Sequence, residues 1–352
     1  MKEKEITPEK LRKRNCITLW IMGGVLILSI LFSFTLGRYP VPLKELLGIL
    51  GHRISALLHM ETEVFWTRQM EAAVWNIRLP RVILSVMVGA SLAAAGASYQ
   101  GVFQNPMASP DILGASAGAG FGAALAILWD FSNFAITLSA FAMSLGSVAL
   151  VFFLSRHAKG DRVLGLVLAG IMISSLFQSG TSFIKLVADP NNKLPQITYW
   201  LMGSLSGTQW KNVRLALIPM ILGLLPLLLL RWRINVITMG DEEARAMGVD
   251  AHHIRLTVII CSTLVTAAAV SVSGMIGWVG LVIPHMMRRI VGSDYRYLMP
   301  GSILGGGIFL LLVDNVSRNA FTSGMPIGIL TAFIGAPFFL WLITGRGETY
   351  EH

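Results

Sequence analysis

The chain has 352 residues, of which 54% are hydrophobic and only 13% are charged. Soluble proteins carry about 25% charged residues, and the apolar segments here lack the amphipathic alternation that a large soluble α/β protein requires. The composition therefore excludes that class and predicts an integral membrane protein. The net charge of +9 does not indicate a nucleic-acid partner, because the basic residues cluster at the ends of apolar segments, as topology signals do.

Ten apolar segments are candidates for membrane spans, each of which needs about 20 residues. The eighth is short for a complete crossing, which predicts a broken or tilted helix. The first follows a basic tail, residues 1–16, and is longer than the core of a signal peptide, so we interpret it as an uncleaved span. The ten segments are 17–36, 82–103, 112–130, 134–155, 164–187, 213–231, 256–274, 276–291, 299–317 and 327–344.

The distribution of basic residues predicts the topology. The larger share of the 28 Lys and Arg residues lies in segments that are inside when the N-terminus is cytoplasmic, which is the usual bias of membrane proteins. Both termini and the charged segment 240–255 are therefore expected in the cytoplasm. The long outer segment 37–81 is also basic, against this bias, which suggests a separate purpose for its charges.

Small residues are dense in "GASLAAAGAS" (89–98) and in "GASAGAGFGAAL" (114–125). Gly, Ala and Ser at close spacing allow the backbones of membrane helices to approach one another. Both segments are therefore predicted to lie at close helix–helix crossings.

The charged segment "GDEEARAMGVDAHHIR" (240–255) stands between two apolar segments. Asp241 is the expected N-cap of a short helix, followed by acidic residues in the first turn, where they favour the helix dipole. Gly248 is expected to end this helix, and Asp250 to cap a second helix that leads into the seventh span. The pattern predicts a helix–turn–helix on the cytoplasmic surface.

One face of the first short helix is small and apolar. Ala244, Met247 and Gly248 share it at i, i+3 and i+4 spacing. A solvated surface helix would not need such a face, whereas a partner protein with a groove would bind it.

The sequence contains no motif for ATP hydrolysis. ATP hydrolysis needs the phosphate loop G-x-x-x-x-G-K-[ST], and no Gly-Lys dipeptide occurs in the sequence. Any ATP hydrolysis would therefore take place on another polypeptide. Cys16 and Cys261 form no disulfide framework or metal spacing, and the sequence predicts no catalytic residue, metal site or cofactor.

Several stretches together resemble one family, the membrane permeases of ATP-binding-cassette (ABC) importers for iron–siderophores, haem and cobalamin, the FecCD-type subunits of type II importers. The resemblance covers nearly the whole chain after the first span, and its motifs occur in the family's order. They are "WNIRLPRVILSVMVGASLAAAGASYQGVFQNPMASPDILGASAGAG" (75–120), "GDEEARAMGV" (240–249), "GMIGWVGLVIPHMMRRIVGSDYRYLMPGSILGGGIFLLLVDNVSR" (274–318) and "MPIGILTAFIGAPFFLWLI" (325–343).

The resemblance implies a single all-α permease domain over residues 1–352, with about ten transmembrane helices, in a dimer of permease subunits. It also implies two separate ATPase subunits, an extracytoplasmic binding protein, and a place in a bacterial or archaeal cytoplasmic membrane. The expected substrate is a metal chelate, in the first place an iron–siderophore, with haem, cobalamin or molybdate as alternatives on the same scaffold.

Three groups of site residues follow from the resemblance, and each matches a family motif. The coupling helices, 240–254, are expected to sit in the groove of the ATPase. The turn after the second span is expected to form a cytoplasmic gate, and outward arginines are expected to dock the binding protein. The coupling residues are Asp241, Glu242, Glu243, Ala244, Arg245, Met247 and Gly248, the gate residues are Asn105, Pro106 and Met107, and the docking residues are Arg78, Arg81 and Arg318.

Two other classes of function stay open from the residues alone. An ion-coupled transporter would bury ionisable residues near the middle of the membrane, and a membrane enzyme would need a polar catalytic cluster. The predicted spans offer little of either. Asp314 lies near the outer end of the ninth span, where an i, i+4 pair with Arg318 would account for it.

Overall fold

A computed structural model describes residues 8–37, 39, 41–57, 64–157, 162–320 and 324–344, and all regular structure within these ranges is helical. The helices are α1 (Pro8–Thr35), α2 (Leu43–Leu57), α3 (Arg68–Ala72), α4 (Leu79–Val102), α5 (Ala115–Leu128), α6 (Asn133–Ser155), α7 (Arg162–Val187), α8 (Lys193–Leu201), α9 (Trp210–Leu229), α10 (Arg231–Ile237), α11 (Asp241–Ala246), α12 (Ala251–Ser273), α13 (Val279–Val291), α14 (Tyr295–Ala320) and α15 (Ile327–Thr344). A π-helical turn (Ala73–Arg78) joins α3 to α4, and a 3₁₀ turn (Pro110–Leu113) precedes α5.

Among the described residues, seven helical segments are long and apolar enough to cross a membrane. They are α1, the continuous α3–α4 segment, α6, α7, α9, α12 and α14. The shorter helices α5, α13 and α15 coincide with the third, eighth and tenth predicted spans. The prediction of an all-α membrane fold with about ten spans is confirmed.

Some helix bounds differ from the prediction. The second span begins at Arg68 rather than at residue 82, because the π-helical turn before Pro80 allows the helix to continue through a residue that lacks a backbone N–H. The helices α2, α8 and α10 were not predicted as separate elements. They are short and lie between the long apolar segments, where composition alone does not distinguish a helix from a loop.

The helix α4 lies at the centre of the fold, and glycines set its distance from its neighbours. A Cβ atom added to Gly89 would lie 2.1 Å from the carbonyl oxygen of Gly306 in α14, and one added to Gly96 would lie 1.8 Å from that of Gly280 in α13. Neither distance is sterically possible, so the backbones touch only because both positions are glycine. The close crossing predicted for residues 89–98 is confirmed.

The second small-residue segment forms a similar crossing between α5 and α6. Added Cβ atoms on Gly118 and Gly122 would each lie 2.6 Å from a backbone carbonyl oxygen of α6, those of Met143 and Ser139. The hydroxyl of Ser139 also donates to the carbonyl of Gly122 at 2.8 Å. The predicted close approach of segment 114–125 is confirmed.

Residues 274–278 form a non-helical connection between α12 and α13. The helix α13 has 13 residues, about 20 Å at 1.5 Å per residue, whereas the hydrocarbon core is about 30 Å thick. The eighth span is therefore short, as predicted, and a helix of this length leaves part of a crossing to the connection that precedes it. Backbone there must be satisfied by protein or face a water-filled cavity.

At three glycines near this break, the backbone packs directly on the backbone of neighbouring segments. Gly274 has a φ of +68° and packs on the backbone of Trp200 and Gly203, while Gly328 packs on the carbonyl oxygens of Met202 and Met275. Backbone hydrogen bonds join the same segments, from Ser204 N to Ser273 O at 2.7 Å and from Ile327 N to Gly203 O at 2.8 Å. The ends of α8 and α12 and the start of α15 are thus held together by main chain.

A buried ion pair joins the outer ends of α4 and α14. The Arg81 guanidinium donates to both carboxylate oxygens of Asp314, with Nη2–Oδ1 at 2.8 Å and Nε–Oδ2 at 3.0 Å. The expected i, i+4 pair of Asp314 with Arg318 is wrong, because the Arg318 guanidinium instead donates to the hydroxyl and carbonyl oxygens of Ser33 and to Asn315.

We expect Asp314→Ala to lower the apparent melting temperature of the purified permease strongly. The side chain of Asp314 is 0% exposed, so its removal leaves the Arg81 charge buried without its partner, a loss of about 3–5 kcal/mol. The control is Glu9→Ala, which breaks the solvent-exposed Glu9–Lys13 pair and is expected to cost at most about 1 kcal/mol. Equal melting temperatures for the two variants would contradict a structural role for the Arg81–Asp314 pair.

Candidate functional site

The charged segment forms the short helix α11, between α10 and α12. Its N-cap is Gly240, with a φ of +127°, so the expectation that Asp241 is the N-cap is wrong by one residue. Asp241, Glu242 and Glu243 all lie in the first turn, where their charges favour the helix dipole as expected.

The end of α11 follows the predicted pattern. Gly248 has a φ of +74°, the Val249 N–H donates to Ala244 O at 2.8 Å, and the Gly248 N–H donates to Arg245 O at 2.9 Å. These two bonds define a Schellman motif. Asp250 then caps α12 by accepting from the backbone N–H of His253 at 3.1 Å, which confirms its predicted role.

The small apolar face of α11 is divided between two environments. Ala244 is completely buried together with Val249 in the core of this chain, whereas Met247 is 46% exposed. The interpretation of Ala244 as a residue that faces a partner is therefore corrected, because its side chain packs on its own subunit. Met247 and Met239 remain exposed.

An ion pair holds α11 against the start of α12. The Arg255 guanidinium donates to Asp241, with Nη2–Oδ1 at 2.8 Å, and this hydrogen bond lowers the pKa of Asp241 below its ordinary value. Asp241 is therefore ionised throughout the physiological range of pH. The same guanidinium donates through Nε to the carbonyl of Val102, the last residue of α4, at 3.4 Å.

The predicted gate residues form an exposed turn directly after α4. The side-chain carboxamide oxygen of Asn105 accepts from the backbone N–H of Met107 at 2.9 Å. The backbone carbonyl of Asn105 accepts from the N–H of Ala108 at 3.0 Å. Asn105, Pro106 and Met107 are exposed. The turn is built by the asparagine itself, and its three residues are accessible on the cytoplasmic side of the predicted topology.

A second contact joins this turn to the coupling region. Gln104 has a φ of +47°, and its Nε2 donates to the carbonyl of Ile237, the last residue of α10, at 2.8 Å. Sequence reasoning assigned no role to Gln104 or to Arg255. The position of Gln104 directly before the Asn-Pro turn was the only available signal for its role. The carbonyls of Ile237 and Val102, which accept from Gln104 and Arg255, are marked by no side-chain pattern.

The three arginines predicted for docking converge on one outer cavity of about 300 Å³. Arg78 is only 5% exposed, and its guanidinium donates to the carbonyls of Phe34 and Tyr39. Asp314, which binds Arg81, is the only carboxylate within ion-pair distance of any of the three among the described residues. The cavity therefore carries an excess of positive charge.

A larger, open groove of about 710 Å³ lies beside the broken α12–α13 connection. Its wall is largely apolar and includes Met202, Met275, Trp278 and Phe333, from the ends of α8 and α12 and from α15. Gly277 has no neighbour within 4 Å of an added Cβ and leaves this wall open. The groove can accept a bulky ligand without strongly charged contacts.

The described residues form a helical bundle with seven segments long enough to cross a membrane, a break between α12 and α13, and an exposed helix–turn–helix at the start of α12. This chain belongs to the FecCD transport family, whose model matches residues 25–345. It is the permease subunit of an ABC importer of the group that handles metal chelates, haem, cobalamin or molybdate. Hydrolysis of ATP is not the role of such a subunit.

Individual relatives carry different substrates. The chain is 38% identical to the molybdate import system permease protein MolB of Haemophilus influenzae, over 90% of this chain and 91% of that protein. It is 42% identical to a probable iron chelatin transport system permease protein of Helicobacter pylori, over 76% and 81%. A solved inward-facing metal-chelate type ABC transporter has a TM-score of 0.82 and 35% identity, covering 93% of this chain and 99% of that one.

The division of the α11 face predicts different effects for two substitutions to glutamate. Ala244→Glu places an unpaired carboxylate in the core, which should lower the free energy of unfolding by several kcal/mol. The apparent melting temperature of the permease should fall accordingly. Met247→Glu changes an exposed residue and should leave the melting temperature within the range of ordinary surface substitutions, about 0.5 kcal/mol.

The same two substitutions distinguish an effect on folding from an effect on assembly with the ATPase. Met247→Glu is expected to lose the co-purifying ATPase although the permease is folded. The control is Arg156→Gln, a change at an exposed residue outside the coupling residues. Equal ATPase recovery from wild type and Met247→Glu would contradict a docking role for this exposed surface.

Proposed function

We propose that this subunit translocates a metal chelate, with an iron–siderophore as the expected cargo, inward across a bacterial or archaeal cytoplasmic membrane. The observation that carries this proposal is the apolar wall of the groove at the α12–α13 break, formed by side chains such as Met202, Met275 and Phe333. A chelate hides its metal ion behind an organic shell, so its carrier needs volume and apolar contact rather than metal ligands.

Molybdate is the competing cargo, since MolB is among the relatives. A tetrahedral oxyanion is strongly hydrated and needs directed N–H donors or basic side chains to replace its water. No basic side chain lines the described wall of the groove. The groove therefore favours the organic chelate over the oxyanion.

The complete importer in this proposal contains two permease subunits, two ATPase subunits and an extracytoplasmic binding protein. Both termini and α11 lie in the cytoplasm, in agreement with the bias of Lys and Arg. The binding protein releases the chelate into a cavity between the permeases, and ATP binding and hydrolysis re-orient the helices so that the chelate leaves inward. No bond of the chelate is broken.

The direct test is uptake by proteoliposomes that contain the complete importer, with ATP inside and binding protein outside. Ferric siderophore is expected to accumulate in an ATP-dependent manner, whereas molybdate at the same concentration is not. Met202→Arg, which adds a charge to the apolar wall, should reduce chelate uptake, and Lys211→Gln on the outer surface is the control. Uptake of molybdate alone would contradict the proposed cargo.

Within this function we assign the link between α11 and the gate to Arg255 and Gln104. Arg255 binds Asp241 of α11 and the last carbonyl of α4. Gln104, one residue before the gate turn, binds the carbonyl that ends α10. A displacement of α11 by the ATPase therefore reaches Asn105–Met107 through two short contacts. These residues position the gate and do not touch the chelate.

We expect Gln104→Ala combined with Arg255→Gln to raise ATP hydrolysis in the absence of binding protein and to reduce the chelate imported per ATP. Asn105→Ala combined with Met107→Ala should have the same effect, because it removes the gate turn itself. ATPase recovery should stay at the wild-type level, which distinguishes loss of coupling from loss of docking. The control is Arg233→Gln, an exposed cytoplasmic arginine of α10, and wild-type coupling in both double variants would reject the assignment.

The outer arginine cavity is our proposed docking site for the binding protein. Arg81 is occupied by Asp314 and Arg78 by backbone carbonyls, so these two supply positive potential more than direct contact. Arg318 donates through Nη2 to Ser33 and Asn315. It is nevertheless part-exposed at the cavity wall, unlike the buried Arg78, and has no carboxylate partner among the described residues, so it is the arginine best placed to meet a carboxylate of the partner. Arginine suits this role because its charge is constant and its donors bind carboxylates in pairs.

Arg318→Gln is expected to weaken binding-protein affinity severalfold at low salt, with a smaller effect at high salt. Charges at the rim of an interface act mainly on association, and they are screened beyond about 8 Å at physiological ionic strength. The control is Lys211→Gln, which removes an outer charge that does not line this cavity. Equal affinity of Arg318→Gln and wild type across the salt series would favour a purely structural role for Arg318.

A further inference from the structure

The cytoplasmic side of the bundle contains a cavity that transport does not use. It has a volume of about 860 Å³ and lies between the start of α1, the junction of α9 and α10, and the connection from α13 to α14. Its walls therefore come from three separate parts of the chain, far from both the α12–α13 break and the outer arginines.

The charge of this cavity is positive. Arg12, Arg231 and Arg296 line it, and the one carboxylate in the wall, Asp294, is paired with Arg296 at 2.7 Å. Within the described ranges, neither Arg12 nor Arg231 has an acidic partner within ion-pair distance. Two arginine charges thus remain available to an anion.

The cavity lies where the chain passes from hydrocarbon to water. The span α9 ends at Leu229, which is 73% exposed, and Arg231 and the 48% exposed Trp232 follow immediately. Tryptophan next to arginine at the end of an apolar span is typical of the headgroup region. The wall is therefore basic toward the cytoplasm and apolar toward the bilayer core.

Apolar side chains continue from the cavity along α1 toward the middle of the membrane. Trp20 lies one turn beyond Cys16 on the same side of α1 and is 82% exposed. In a membrane this surface contacts acyl chains. A ligand with an anionic head and apolar tails would match the cavity and its continuation together.

The wall on the α1 side is fixed rather than loose. Asn15 is only 2% exposed, and its Nδ2 donates to the carbonyl of Val291 at the end of α13 at 2.8 Å. This bond holds the first turns of α1 against α13, so that Arg12 is presented to the cavity from an anchored helix.

We propose that this cavity binds the phosphate of an anionic phospholipid of the inner leaflet. Arg12 and Arg231 bind the phosphate, Trp232 lies at the level of the glycerol backbone, and the acyl chains follow Leu229 and Trp20. Basic pockets between membrane helices on the cytoplasmic side recognise anionic headgroups in this way, with about 1 kcal/mol for each basic residue.

The experiment uses the full-length permease, purified in neutral detergent and titrated with phosphatidylglycerol, phosphatidylcholine or inorganic phosphate. Bound lipid is counted by native mass spectrometry, and the apparent melting temperature is followed in parallel. The test variant is Arg12→Gln with Arg231→Gln, and the control is Arg156→Gln with Arg233→Gln, two exposed cytoplasmic arginines that do not line the cavity.

Phosphatidylglycerol is expected to bind and to raise the melting temperature, whereas phosphatidylcholine and inorganic phosphate are not. The test variant should lose about 30-fold in affinity for phosphatidylglycerol, from about 1 kcal/mol for each of two arginines, and the control should keep it. If the test and control variants have equal affinity for phosphatidylglycerol, the proposed site is wrong. If inorganic phosphate raises the melting temperature as much as phosphatidylglycerol does, the ligand is free phosphate and the proposed lipid is wrong.

Discussion

Backbone N–H and C=O groups in hydrocarbon have no water to bind, and this constraint governs the whole bundle. It requires helices across the membrane, and it requires that the break between α12 and α13 be closed by other parts of the chain. Gly203, Gly274 and Gly328 meet this requirement, because main chain can reach main chain only where no Cβ intervenes. The same close contact at Gly89 and Gly96 seats α4 against α14 and α13.

The helix α4 connects the two ends of the molecule. Its outer end carries Arg81, in the buried pair with Asp314, and its inner end leads into Gln104 and the gate turn. A helix seated by backbone contacts moves as a unit, since packed interiors resist continuous deformation. In the proposed mechanism, a displacement of α11 is therefore passed on to the turn at Asn105–Met107 rather than absorbed within the bundle.

The sequence predicted the features that depend on local pattern. Apolar length located most spans, small residues located the close crossings, and Gly248 and Asp250 marked the end of one helix and the start of the next. Family motifs selected the arginines that converge on the outer cavity. The docking, coupling and gating roles of these residues stay predictions, because they concern partner proteins.

The features that the sequence missed depend on long-range packing. Asp314 pairs with Arg81, 233 positions away, although a local pair with Arg318 was available by spacing. The periodicity of α11 identified an apolar face but could not show that Ala244 packs on its own subunit and Met247 does not. Gln104 binds a backbone carbonyl, which every sequence offers at every position, and Arg255 joins Asp241 to the carbonyl of Val102, 153 positions away, so no local motif could mark either residue.

The central claim is that the α11 segment controls the turn at Asn105–Met107. The most direct measurement is the distance between spin labels at Met107→Cys in the two permease subunits of the complete importer, with Cys16 and Cys261 replaced by alanine. Pulsed electron spin resonance should show a change of several Å when ATP is bound, and the change should be lost when Gln104→Ala and Arg255→Gln are added. An unchanged distance during ATP-driven uptake would contradict the account.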